Sequence, residues 1–63
     1  MTSKAQALYA LMEDQGYSYG LMQTVIRLLQ NSNESVDEMI LYIEDNHPTE
    51  DQVIEHTAAL CAN

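Results

Sequence analysis

Basic residues are scarce in this 63-residue chain: Lys4 and Arg27 stand against ten Asp and Glu, a formal net charge of −8. Nucleic acids and anionic membranes are bound by Lys and Arg that neutralise phosphate, so neither is expected as a direct partner. A basic protein is the partner that long-range attraction favours, and the same charge keeps a small domain soluble. Cysteine is scarcer still. Cys61 stands alone, which excludes an intramolecular disulfide and fits a reducing compartment. No apolar run approaches the roughly 20 residues of a membrane span, and the N-terminus lacks the apolar core of a signal peptide. The expected location is cytoplasmic. Glycine occurs twice, at Gly16 and Gly20, and proline once, at Pro48, so the chain has few places to turn sharply.

No stretch alternates apolar and polar residues long enough to read as a strand, whereas helical spacing recurs throughout. The sequence therefore predicts an all-α bundle in one domain, with three core helices and a C-terminal fourth. Ser3 is placed to cap a first helix whose stripe is Ala5, Leu8, Leu11 and Met12, ending near Asp14-Gln15 with Gly16 as its left-handed stop. Gln15-Gly16-Tyr17-Ser18-Tyr19-Gly20 reads as a tight loop presenting aromatic rings. A second helix runs from Ser18 or Tyr19 to Gln30, with Leu21, Met22, Val25, Ile26, Leu28 and Leu29 on the widest apolar face of the chain. Asn31-Ser32-Asn33-Glu34 is a polar connector with Asn31 as a left-handed stop.

The third helix has the clearest signature, from Ser35 to Asn46. Val36, Met39, Ile40 and Ile43 line one face. Ser35 and Glu38 have the spacing of a capping box, and Asp37 and Glu38 sit where the helix dipole favours negative charge. Leu41 points away from that stripe and Tyr42 lies at its flank. After His47-Pro48, Thr49 and Gln52 form a second capping box. Val53, Ile54, Thr57, Leu60 and Cys61 then give a narrower stripe over 49–62, read as an appendage on the three-helix core.

No constellation for catalysis emerges. A nucleophile needs a base and an orienting group, but Cys61 lies near the C-terminus and His56 is five residues away, off its helical face. His47, His56 and Cys61 lack zinc-site spacing, and the acidic pairs lack the alternating ligands and central glycine of a calcium loop. No enzyme activity, metal or cofactor is expected.

The acids carry more information by where they lie. Asp37/Glu38 and Glu50/Asp51 read as first-turn residues, which the dipole stabilises. Glu13/Asp14 and Glu44/Asp45 fall in last turns, where each costs about 0.3–1 kcal/mol at low salt. Such local conflicts tend to mark functional surfaces. The candidate site is therefore Gly16, Tyr17, Leu41 and Tyr42 as a partly apolar patch, rimmed by Glu13, Asp14, Glu44 and Asp45. Tyrosine suits recognition because it offers a large area at low entropic cost.

The order of these features resembles a ubiquitin-associated (UBA) or UBA-like domain over residues 5–46. Leu11-Met12 closes the first helix and Gln15-Gly16-Tyr17 occupies the family's Met-Gly-Phe/Tyr loop, with Gln15 in place of Met. Leu28-Leu29-Gln30-Asn31-Ser32-Asn33 is similar to the family's Asn-rich exit from helix two. Val36-Asp37-Glu38-Met39-Ile40 is similar to the start of its helix three. The stretch from Gly16 to Val36 is about three residues longer than is usual for the family. The resemblance implies a three-helix bundle and a ubiquitin-binding surface on the Gly16-Tyr17 loop and late helix three.

These readings converge on a non-catalytic protein-interaction module with an acidic-rimmed apolar patch. Its partner would be ubiquitin-like or basic. The alternatives are an acidic mimic that occupies the nucleic-acid site of a basic protein, and a small structural homodimer.

Overall fold

Residues 2–62 are described by a computed structural model, in which α1 is Ser3–Asp14, α2 Tyr19–Leu29, α3 Asn33–Asn46 and α4 Glu50–Cys61. No strand occurs among the described residues, as the missing alternation predicts. Every helix starts on a hydroxyl cap. The Thr2 hydroxyl accepts from the Ala5 amide at 3.1 Å, Ser18 from Leu21 at 3.3 Å, Ser32 from Ser35 at 3.2 Å and Thr49 from Gln52 at 3.2 Å. Each such cap is worth about 1 kcal/mol. The Thr49/Gln52 capping box is complete, the Thr49 amide donating to Gln52 Oε1 at 2.9 Å.

Two starts differ from the expectation. Thr2, not Ser3, caps α1. Helix α3 begins at Asn33 and is capped by Ser32, so the Ser35/Glu38 box does not form. The earlier start lets the Ser32 carbonyl accept from Val36 at 3.0 Å and gains part of a turn of backbone bonding. Glu34 then takes the first-turn position, and Asp37 and Glu38 move into the second turn. Asn31 is not left-handed either: Gln30 ends α2 in right-handed geometry, and the positive φ angles among the described residues are those of Gly16 and His47.

Those two residues close α1 and α3. At Gly16, φ is +82°, the Gly16 amide donates to Glu13 O at 3.0 Å and the Tyr17 amide to Met12 O at 3.2 Å. This is a Schellman motif, which turns the chain back with two carbonyls satisfied. His47 ends α3 with φ 45° and donates its amide to Ile43 O at 2.9 Å. Pro48 follows and cannot continue the helix.

Side-chain pairs set the arrangement. Lys4 meets Asp37 at 2.8 Å and Gln15 approaches His47 at 3.4 Å, so α1 and α3 run side by side in the same sense. Ser18 meets Glu50 at the starts of α2 and α4, which aligns that pair likewise. The core collects Ala5, Leu8 and Met12 from α1, Leu21, Met22, Val25, Ile26 and Leu29 from α2, Val36, Met39 and Ile43 from α3, and Val53 from α4. Buried Thr57 bonds its hydroxyl to Val53 O at 2.8 Å, so it enters the interior without an orphan donor. Truncating a fully buried Leu8 or Ile43 to Ala costs about 2–5 kcal/mol. Native domains in general are stable by only about 0.05–0.15 kcal/mol per residue.

Leu11, Ile40 and Leu60 pack against this core from partly buried positions, and three further stripe residues are exposed. Leu28 is 52% exposed and Ile54 53% exposed, and Cys61 is exposed rather than packed. Leu28 and Ile54 stand at the edges of their helices' apolar faces, where no neighbouring helix covers them.

Candidate functional site

The parallel course of α1 and α3 brings their last turns to the same end of the molecule. Glu13 and Asp14 of α1, and Glu44 and Asp45 of α3, are all exposed there, so the four dipole-opposed carboxylates share one end. The two loops of that end are tied together. Tyr17 is half-buried and donates its hydroxyl to Pro48 O at 2.6 Å. Ser18 donates its amide to Glu50 Oε2 at 3.1 Å and its hydroxyl to Glu50 Oε1 at 3.0 Å.

Glu50 therefore serves two helices. It complements the dipole of α4 from the first turn and gives α2, which has no acid in its own first turn, a carboxylate at its N-terminus. Nothing local in the sequence signals this tie, because Ser18 and Glu50 are 32 residues apart.

Tyr17 and Tyr42 come together on the side facing α4. Burial, with Tyr42 and the Glu50 carboxylate nearby, raises the Tyr17 phenol above the ordinary tyrosine value. Tyr42 is half-buried and stacks on His56, with ring centroids 4.0 Å apart and planes within 8°. His56 is itself half-buried in this stack. Tyr19, the other loop tyrosine, is 67% exposed. Tyr17 thus staples the loop, and Tyr19 presents its ring to solvent.

Leu41 lies apart from that aromatic pair. It is 58% exposed, and successive helical residues are separated by about 100° around the axis, so it faces outward where Tyr42 turns toward α4. Its helix-surface neighbours at i−4, i−3, i+3 and i+4 are Asp37, Glu38, Glu44 and Asp45, all exposed. Asp37 is shared with Lys4, an exposed pair of the kind worth about 0.2–1 kcal/mol. The result is one apolar side chain inside a ring of four carboxylates. The backbone at Gly16 is exposed beside this end, and its position has no heavy atom within 4 Å of where a Cβ would stand.

No protein-family model matches this chain, and no curated protein or solved structure matches it. The arrangement of its own residues is therefore the basis of any functional reading.

Among the described residues no group of three or more His, Cys, Asp and Glu is placed to hold a metal ion. No helix among them is long and apolar enough to cross a membrane. What the acidic end offers chemically is hydrogen-bond acceptors and negative potential around an apolar contact. That combination suits the guanidinium or ammonium groups of a partner whose aliphatic stems can cover Leu41.

Proposed function

We propose that this chain is a non-catalytic protein-interaction module that binds a basic protein surface through the outward face of α3. The observation that carries this reading is the exposed Leu41 within the ring of Asp37, Glu38, Glu44 and Asp45. Glu13, Asp14 and the Gly16 backbone extend the surface across the end of α1. Tyr17 and Tyr42 contribute by holding that end in shape, since the hydroxyl of one and the ring of the other are engaged within the chain.

The finer architectural reading is a UBA-like core of α1, α2 and α3 with α4 added. It is supported by the Gly16-Tyr17 turn after α1 and by the Val36-Asp37-Glu38-Met39-Ile40 segment of α3. A ubiquitin-like protein is accordingly the first partner to test. The first experiment is an NMR titration of the ¹⁵N-labelled chain with ubiquitin at moderate salt. Shifts confined to Gly16 and the Leu41–Asp45 segment, lost in Leu41→Ala with helicity intact, are the expected result. A silent spectrum removes ubiquitin, and a Lys/Arg-rich amphipathic peptide is then titrated. Binding of that peptide with equal affinity by the wild type and a helical Leu41→Ala variant would overturn the α3 surface.

A second reading, an acidic mimic for the nucleic-acid site of a basic protein, is favoured by the spread of acids over α1, α3 and α4. It relies on distributed charge, so its affinity would collapse with added salt, whereas contact through Leu41 would persist.

A further inference from the structure

Helix α4 is unequally fastened along its length. At its start Glu50 accepts from Ser18, and the Pro48 carbonyl accepts from Tyr17. At its far end Leu60 faces the first turns of α3 across a cavity of about 420 Å³, lined also by Ser32, Glu34, Ser35 and Glu38. Between these ends the helix packs on α2 and α3 and does not reach α1. Among the described residues it buries Val53 and Thr57, one apolar side chain and one hydroxyl. Every other buried apolar residue of the core comes from α1, α2 and α3. Apolar burial is what resists opening, so α4 is the helix held least. Its contact with α3 also carries a cost. The His56 ring lies flat on Tyr42, and its Nε2 is buried with no hydrogen-bond partner among the described residues. A buried polar atom without a partner forfeits its bond to water, and lifting α4 restores it.

We propose that α4 is a strap closed over part of the α3 surface. Hinged at its tied start, it lifts to free the face of Tyr42 that His56 covers, and a guanidinium of the basic partner stacks there instead. That occupant rests on the reading of α3 as the face for a basic protein. The closed state shows the fit: Tyr42 accepts a flat, nitrogen-bearing ring with centroids 4.0 Å apart and planes within 8°. A guanidinium is likewise planar, and it stacks on aromatic faces. Charge favours the exchange. Glu38 and Asp45 lie at i−4 and i+3 from Tyr42, its neighbours on the helix surface, and both are exposed. They already belong to the ring of carboxylates around Leu41. Lifting α4 therefore joins the Tyr42 ring to the Leu41 patch, with negative charge on either side.

The test begins with native-state hydrogen exchange of the ¹⁵N-labelled full chain, without a partner. The amides of Ile54–Ala58 should open together, by roughly tenfold or more ahead of those of Leu8–Met12 and Val25–Leu29. Equal protection of the three segments means that α4 opens only with the whole bundle, which overturns the proposal. An Arg-rich amphipathic peptide and its Lys version are then titrated into the wild type and His56→Ala. This variant uncovers Tyr42 and keeps a good helix former, so it should tighten the Arg peptide by roughly threefold or more with helicity unchanged. The Lys peptide should gain less, and an equal gain would remove the guanidinium from the Tyr42 ring. In the wild type, the Arg peptide should itself speed exchange of Ile54–Ala58, a readout that needs no variant to fold. A peptide that binds and leaves that exchange unchanged or slower overturns the strap. If binding depends on Leu41 and is indifferent to His56→Ala, the strap falls and the α3 surface stands. If neither peptide binds, the α3 surface and the Tyr42 site fall together.

Discussion

The Tyr17 hydroxyl donates to the Pro48 carbonyl across 2.6 Å, joining residues 31 positions apart. Pro48 is buried, so its carbonyl has little access to replacement water. Through this bond the turn that ends α1 is fixed to the turn that ends α3, and the acidic end keeps its shape.

Removing that hydroxyl should be costly for so small a chain. Tyr17→Phe leaves the ring in place and the Pro48 carbonyl unsatisfied, a loss of about 1–2 kcal/mol. In a domain of this size that lowers the melting temperature by roughly 5–15 °C. Thermal unfolding followed by circular dichroism at neutral pH is the measurement, and an unchanged midpoint would show that the bond contributes nothing.

The same phenol makes the fold sensitive to alkali. Its folded pKa lies above the unfolded value of 10.0, so above that pH the native state holds a proton that the unfolded chain releases. The associated stability is fully present below pH 10, and is lost as pH rises through the folded pKa. Denaturant midpoints should therefore fall more steeply above pH 10 in the wild type than in Tyr17→Phe. Parallel curves would contradict the assignment.

Glu50 and Asp51 both occupy the first turn of α4, and only Glu50 reaches Ser18. Glu50→Gln offers an amide group where two Ser18 donors need acceptors. It should cost about 1 kcal/mol more than Asp51→Asn. Urea unfolding of the two variants decides this, and equal midpoints would reduce Glu50 to a dipole effect.

The two glycines should respond to alanine with opposite signs. Gly16 has φ +82°, a conformation that any side chain strains, so Gly16→Ala should destabilise by about 1 kcal/mol. Gly20 lies in helix α2, and its position meets no atom within 4 Å, so Gly20→Ala should stabilise the monomer by roughly 0.5–1 kcal/mol. Differential scanning calorimetry at low protein concentration would read both.

Much of this molecule is legible from local signals. Hydroxyl caps, the Gly16 stop and the period of Val36, Met39 and Ile43 act within one or two turns, and they place four helices correctly to within a few residues. The start of α3 escapes local signals because Ser32 and Ser35 both have helical sequence ahead of them, and the longer helix satisfies more backbone. The exposure of Leu28 escapes them too, because the width of an apolar face does not say which edge a neighbour covers. The site divides in the same way. The carboxylates around Leu41 follow from helical spacing alone. The engagement of Tyr17 with Pro48, of Ser18 with Glu50 and of Tyr42 with His56 depends on tertiary packing, which no local pattern encodes.

The ties between the two loops also govern how the chain comes apart. Tyr17–Pro48 and Ser18–Glu50 each enclose about half the sequence, separations of 31 and 32 residues. Neither can be released by fraying a terminus, as the caps of α1 and α4 can. The Ser18 amide, however, bonds to a partly exposed side-chain carboxylate, so a turn of Glu50 alone frees it, and its exchange should report local opening of this tie ahead of the exchange of the core helix amides.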